Sequence, residues 1–174
     1  MTMKNPVSRI SRRSAVSVVV GALAAATLTV AGTASADSRS GRGEHRVESQ
    51  VQHNKYVAVA FLDLAFNKKQ PEEAAKRYVG DEFIQHNPLS ADGTGPFIQY
   101  VKWRTTLSPD LKFDFKRVFG EKDLVAVHYK RTYDSTDRGA AVMDIFRFEK
   151  GKIVEHWDVI QDIPETSAND NTMF

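Results

Sequence analysis

The chain contains no cysteine, which removes disulfide frameworks, thiol nucleophiles, zinc–thiolate centres and iron–sulfur clusters from consideration. It has little net charge, +2 with the histidines neutral, and even that excess is local. Four of the 24 basic residues (Lys4, Arg9, Arg12 and Arg13) lie within residues 1–36, which hold no acid, so the rest of the chain sets 20 basic side chains against 22 acidic ones. A domain so balanced, with no run of Lys and Arg, lacks the electrostatic footprint of a nucleic-acid binder. Also missing are G-x-S-x-G, a phosphate-binding glycine loop and H-E-x-x-H, the marks of common hydrolases, nucleotide enzymes and zinc proteases. What is present, 174 residues with 41% hydrophobic and 26% charged side chains, suits one soluble globular domain.

Residues 1–36 have the three parts of a secretory signal: a basic, acid-free start, an Ala- and Val-rich stretch over 15–30, and Ala34-Ser35-Ala36 as an A-x-A cleavage site before Asp37. Ser17, Gly21, Thr27 and Thr29 dilute the apolar stretch, which makes it a poor permanent membrane span. Ser11-Arg12-Arg13 resembles the core of a twin-arginine signal, with Ala15 where that signal usually has an aromatic residue. The expectation is export by the Sec or twin-arginine route, or an uncleaved anchor; either places the domain outside the cytoplasm.

Beyond the leader, 37–46 (DSRSGRGEHR) is polar and aperiodic and reads as a disordered linker. Val51, Ala58, Phe61, Leu62, Ala65 and Phe66 then recur at helical spacing and predict a helix over 47–66. Pro71-Glu72-Glu73 opens a short helix expected to stop at Gly80, and a third helix is expected over 96–107. The second half changes period. Residues 112–119, 124–133, 140–148 and 153–161 alternate and are rich in β-branched and aromatic residues, so they predict an antiparallel meander. Helices first and a sheet afterwards is the α+β pattern, with a domain over 47–162 and a polar tail over 163–174.

Asp144 is the most informative residue. It lies mid-strand on the face of Val142 and Phe146, where a carboxylate costs several kcal/mol unless paired or protonated. Such desolvation pushes carboxyl groups toward the range useful for general acid–base work. The alternatives are an ion pair with Arg131, Arg138 or Arg147, or a solvent-exposed face. His128 shares a strand face with Leu124, Ala126 and Lys130, and a neighbouring strand could set it beside Asp144 as a proton relay; a half-buried structural histidine is the alternative. His86 precedes Asn87-Pro88, and the proline holds Asn87 extended, which gives His86 a defined direction. Asn87 is a candidate donor to a substrate oxygen. In Glu155-His156-Trp157-Asp158, His156 and Asp158 share one face and Glu155 and Trp157 the other. His-x-Asp is half of a two-histidine, one-carboxylate iron site; no histidine follows Asp158, so His128 or His86 would have to complete it, and no metal is expected. Trp103 of the third helix joins Asn87, His156 and Trp157 as candidate substrate-binding residues.

The runs FIQHNP (83–88), LVAVH (124–128), DIFRFEKGKIVEHWDVIQ (144–161) and SANDNTMF (167–174) resemble the SnoaL-like branch of polyketide cyclases in the nuclear transport factor 2-like superfamily, and more closely the predicted SnoaL-like aldol-condensation-catalysing enzymes. The resemblance covers about 47–174. It implies a cone-shaped α+β fold, with helices packed on a curved antiparallel sheet around a pocket, and aldol ring closure by acid–base catalysis without metal or organic cofactor. It implies Asp144 as the acid/base, assisted by His128, with His86 a further pocket histidine. It also implies a homodimer through the open sheet face. The cyclases work inside cells on biosynthetic intermediates, so for an exported chain the substrate does not carry over. The expectation is therefore a small carbonyl substrate, with a non-catalytic module for a small apolar ligand as the alternative. Water activation, as in epoxide hydrolysis, is a third possibility within the fold.

Overall fold

The computed structural model describes residues 37–174; the leader over 1–36 lies outside the described residues. Helix α1 (Asp37–Leu62) runs into a π-helical turn, Asp63–Asn67, and is followed by α2 (Pro71–Tyr78), β1 (Val79–Gln85), α3 (Thr94–Leu107), β2 (Lys112–Glu121), β3 (Leu124–Thr132), β4 (Ala140–Glu149) and β5 (Lys152–Asp162). The three helices pack on an open, curved five-stranded sheet of order β1-β5-β4-β3-β2. The four C-terminal strands form the antiparallel meander expected from their short turns, while β1 adds in parallel to β5. The sheet is therefore mixed.

Two expectations need correction. The segment 37–46, read as a disordered linker, is the first part of α1. It contains no proline, and Gly43 and His45–Gln50 are exposed. The second is β1, where the spacing stops the short helix at Gly80 and predicts no strand. Val79 leaves α2 in extended geometry (φ −92°, ψ 145°), and the chain enters the sheet with no intervening turn. Gly80 belongs to that strand: a Cβ there would lie 3.0 Å from Val154 Cγ1, so glycine lets β1 close on β5.

The core lies between the helices and the inner sheet face. Phe61 of α1, 1% exposed, stacks on Phe97 of α3 at 5.0 Å and meets Phe146 of β4 edge-on at 5.8 Å. The π-turn is tied to the sheet by Asn67: its Nδ2 donates to the Phe113 carbonyl at 3.0 Å, and its Oδ1 accepts from the Phe113 N–H at 2.8 Å. This pairing fixes Phe66 against Phe113, rings stacked at 4.3 Å. Helices and sheet diverge from this contact and leave a cavity between the layers.

The segment after β5 is not a free tail. The Ile163 N–H donates to the Gly139 carbonyl at 2.9 Å, and Phe174 stacks on His128 at 5.5 Å on the outer sheet face.

Candidate active site

The cavity measures about 470 Å³ and is walled largely by aromatic side chains, among them Phe61, Phe66, Phe83, Phe97 and Phe113. That size and apolar character suit a small-molecule site. Most of its charged groups come from the sheet, and strand parity decides which ones they are. Asp144 of β4 lies opposite Val127 of β3 and Asp158 of β5. Side chains two residues apart share a face, so Tyr129 and Arg131 of β3 and His156 of β5 point to the same side as Asp144.

Asp144 is 4% exposed. Its Oδ2 accepts a hydrogen bond from the Tyr129 hydroxyl at 2.9 Å, and its Oδ1 lies 3.5 Å from His156 Nε2. Burial, then the charge of Asp144 and this hydrogen bond, hold the Tyr129 phenol well above its usual pKa, so it remains a protonated donor. On the far side of the imidazole, His156 Nδ1 lies 2.8 Å from Gln85 Oε1. With that carbonyl facing it, Nδ1 carries a hydrogen, and Nε2 is turned to the carboxylate. The imidazole is stacked on Phe146 at 5.1 Å, which fixes its plane. Asp158, the second carboxylate, accepts from Asn87 Nδ2 at 3.0 and 2.7 Å, while Asn87 Oδ1 accepts from the Leu89 N–H at 2.8 Å.

The structure separates the residues that the sequence grouped. His128 does not reach Asp144. It pairs with Met143 in the register and projects from the outer face, where Phe174 and Arg117 flank it, Arg117 Nη1 at 3.4 Å from its Nδ1. Burial and then the Arg117 charge lower its pKa. His86 and Trp157 are also outside the pocket. Their rings stack at 4.5 Å, and His86 Nε2 lies 2.7 Å from Glu155 Oε1. The cause is the same parity: Glu155 and Trp157 face away from His156 and Asp158. Asn87, His156 and Trp103 do line the cavity; Trp103 sits at its mouth, 52% exposed, and the amide of Asn87 is committed to Asp158. Sequence reasoning missed Tyr129 and Gln85. The available signal for Tyr129 was its alternation with Val125 and Val127, which makes its hydroxyl the polar tip of an apolar face.

Asp144, His156 and Asp158 offer donor atoms within 4.8 Å of one another and are the described residues that could hold a cation. Tyr129 and Asn87 already occupy oxygens of both carboxylates, and three protein ligands would leave open positions on a metal. The arrangement also suits proton transfer: a buried carboxylate between a phenol and an imidazole, with a second carboxylate alongside.

Residues 58–156 match the model of the SnoaL-like domain family, a span that includes Asp144, Tyr129 and His156. No curated protein matches the chain. Among similar solved structures is a protein from Acidithiobacillus ferrooxidans provisionally named a polyketide cyclase, with a TM-score of 0.54 at 15% identity over 62% of this chain and 87% of that one. A SnoaL-like protein of unknown function from Burkholderia thailandensis gives 0.52 at 18% identity over 63% and 96%. A nuclear transport factor 2-like protein of unknown function from Mesorhizobium loti gives 0.53 at 17% over 64% and 93%. These likenesses establish the nuclear transport factor 2-like α+β cone and not an activity.

Proposed function

Because this chain belongs to the SnoaL-like domain family, we propose that it is a cofactor-independent acid–base enzyme acting on a small carbonyl compound bound beside Asp144. The observation that carries the proposal is the placement of one carboxylate, 4% exposed, in an apolar cavity between the Tyr129 hydroxyl and the His156 imidazole. A merely structural carboxylate is more simply satisfied by an arginine, and no ion pair with Arg131, Arg138 or Arg147 holds Asp144 among the described residues.

In this reading Asp144 takes the proton alpha to a carbonyl. The electron pair left on carbon becomes an enolate, which attacks a second carbonyl carbon; a C–C bond forms, and the alkoxide recovers the proton. The Tyr129 hydroxyl bonds the oxygen of Asp144 that does not face His156, which steers the working lone pair and stabilises the charged form. His156 Nε2 is placed to receive or return the proton, with its tautomer set by Gln85. Asn87 acts as a positioning residue that fixes Asp158 at the edge of the site. Simple enolisation, without the second carbonyl, needs only the first step and the return of a proton to the enolate.

The test is α-proton exchange in deuterium oxide. Wild-type protein is expected to exchange the α protons of aryl ketones such as 1-indanone above the buffer rate, and Asp144→Asn to lose about 10²–10⁴ of the enhancement. A chain that binds these ketones without exchanging them is the binding module for apolar ligands; the aromatic walls of the cavity favour that second reading.

We also propose that the domain works outside the cytoplasm, on the strength of the basic start, apolar stretch and Ala34-Ser35-Ala36 of the leader. N-terminal sequencing of protein recovered from envelope or medium is expected to begin at Asp37; recovery of the intact leader in the cytoplasm would contradict export.

A further inference from the structure

The end of the cavity away from Asp144 carries two guanidinium groups that the reaction above does not use. Arg131 of β3 and Arg104 of α3 both line the cavity and converge on one ring: their Cζ atoms lie 4.8 and 4.7 Å from the centroid of Tyr133. Arg104 also lies 4.5 Å over Trp103. The Nε of each arginine is buried and has no hydrogen-bond partner. Among the described residues neither forms an ion pair, although Arg77, Arg138 and Arg147 each do. Two cations held on one aromatic ring repel each other, and an aromatic face compensates a half-buried guanidinium only in part. Such a pair calls for an anion, and a planar fork with several free donors is the geometry that takes a carboxylate.

The opposite end of the cavity holds Asp144 and Asp158 and repels an anion. Arg131 is four residues along β3 from Val127, the partner of Asp144 in the register, a backbone offset of about 14 Å that the long arginine side chain shortens. The register thus sets Arg131 and the carboxylates apart along the strands, with the Arg131 charge still reaching Tyr129.

From this we infer that the ligand of this pocket is an oxo acid: a carbonyl compound whose carboxylate is held by Arg104 and Arg131 while its carbonyl end lies toward Asp144. The inference rests on the reading of this cavity as the substrate site and names the substrate class. Charge at one end also orients the substrate, since a reversed molecule would set its carboxylate against Asp144 and Asp158.

The probes are 5-oxo-5-phenylpentanoate and its methyl ester, which share the ketone and differ in charge, titrated by calorimetry into the protein beginning at Asp37. Wild type is expected to bind the acid about tenfold or more tightly than the ester. Arg104→Gln and Arg131→Gln should each shrink that ratio and together bring it close to one, with urea midpoints reporting that the variants are folded. A measurement that needs no variant accompanies them: about 0.5 M salt should weaken the acid and leave the ester as it was. Equal binding of acid and ester, a preference that survives both substitutions, or a salt-independent preference overturns the inference. Proton exchange on the same two compounds keeps the two claims apart. Exchange of both with no charge preference leaves the catalytic reading standing and removes this one, whereas charge-selective binding without exchange does the reverse.

Discussion

The Tyr129 side chain is 3% exposed and delivers its hydroxyl to Asp144 inside the apolar layer. Tyr129→Phe keeps the ring and removes the donor, leaving a buried carboxylate oxygen short of a partner. It is expected to cost about 1–3 kcal/mol, read from urea midpoints, and to slow exchange. Glu155 shows the same logic on the outer face. Its hydrogen bond with Arg147, then that with His86, holds its carboxyl below the usual 4.5. A carboxyl group lowered in the folded state contributes stability above that ordinary value and loses it as pH falls through the lowered one. Glu155→Gln should therefore flatten the acid limb of the stability profile below about pH 4.5, measured by denaturation across pH. Asp144 was legible in the sequence because a carboxylate interrupts an alternating apolar strand. Its partners were not, since a choice between His128 and Tyr129 depends on the β3–β4 register, and one residue of register exchanges the two faces.

Elements whose period is unbroken were legible to within two or three residues: the four meander strands, α2 and α3 all lie close to where the spacing puts them. The element that was missed, β1, has a reason. It is an edge strand that follows α2 without a turn and pairs in parallel with residues more than seventy positions later, so no local signal announces it; the Gly80 that reads as a helix stop is there for close approach to Val154. The junction of elements predicts two costs. Phe61 joins α1, α3 and β4 through its ring contacts, and Phe61→Ala should lower stability by about 3–5 kcal/mol in a denaturant titration. Gly139 leads into β4 at φ +87°, and a Cβ there would run into the Arg131 carbonyl. Gly139→Ala is expected to cost more than about 1 kcal/mol and to disturb the arginine end of the cavity before the carboxylate end, visible as loss of acid binding with the ester retained.

At the scale of the molecule, the sheet separates two chemistries. The inner face holds the cavity with Asp144, His156 and Asp158; the outer face holds His86, His128 and Trp157, three of the residues expected in the site. The last residues of the chain add to the outer face, where Phe174 lies on His128 and 5.8 Å from Lys116 Nζ. Phe174→Ala should let the lowered His128 pKa climb back toward 6.5, followed by imidazole NMR. Because a histidine lowered in the folded state supports stability above its ordinary pKa and loses it as pH falls through the lowered one, the same variant should also be less sensitive to acid just below pH 6.5. The α+β class and Asp144 were within reach of the sequence, because each follows from local period; the pocket between layers followed only from the resemblance and the architecture. The assignment of faces was not, because it is fixed by long-range pairing. The central claim is that acid–base chemistry resides in the inner-face carboxylate and not in the outer-face histidine. It is tested most directly by α-deuterium incorporation with a paired set, wild type, Asp144→Asn and His128→Ala. We predict that Asp144→Asn loses about 10² or more of the rate while His128→Ala keeps it; a rate that survives Asp144→Asn, or one that His128→Ala removes, would contradict the account.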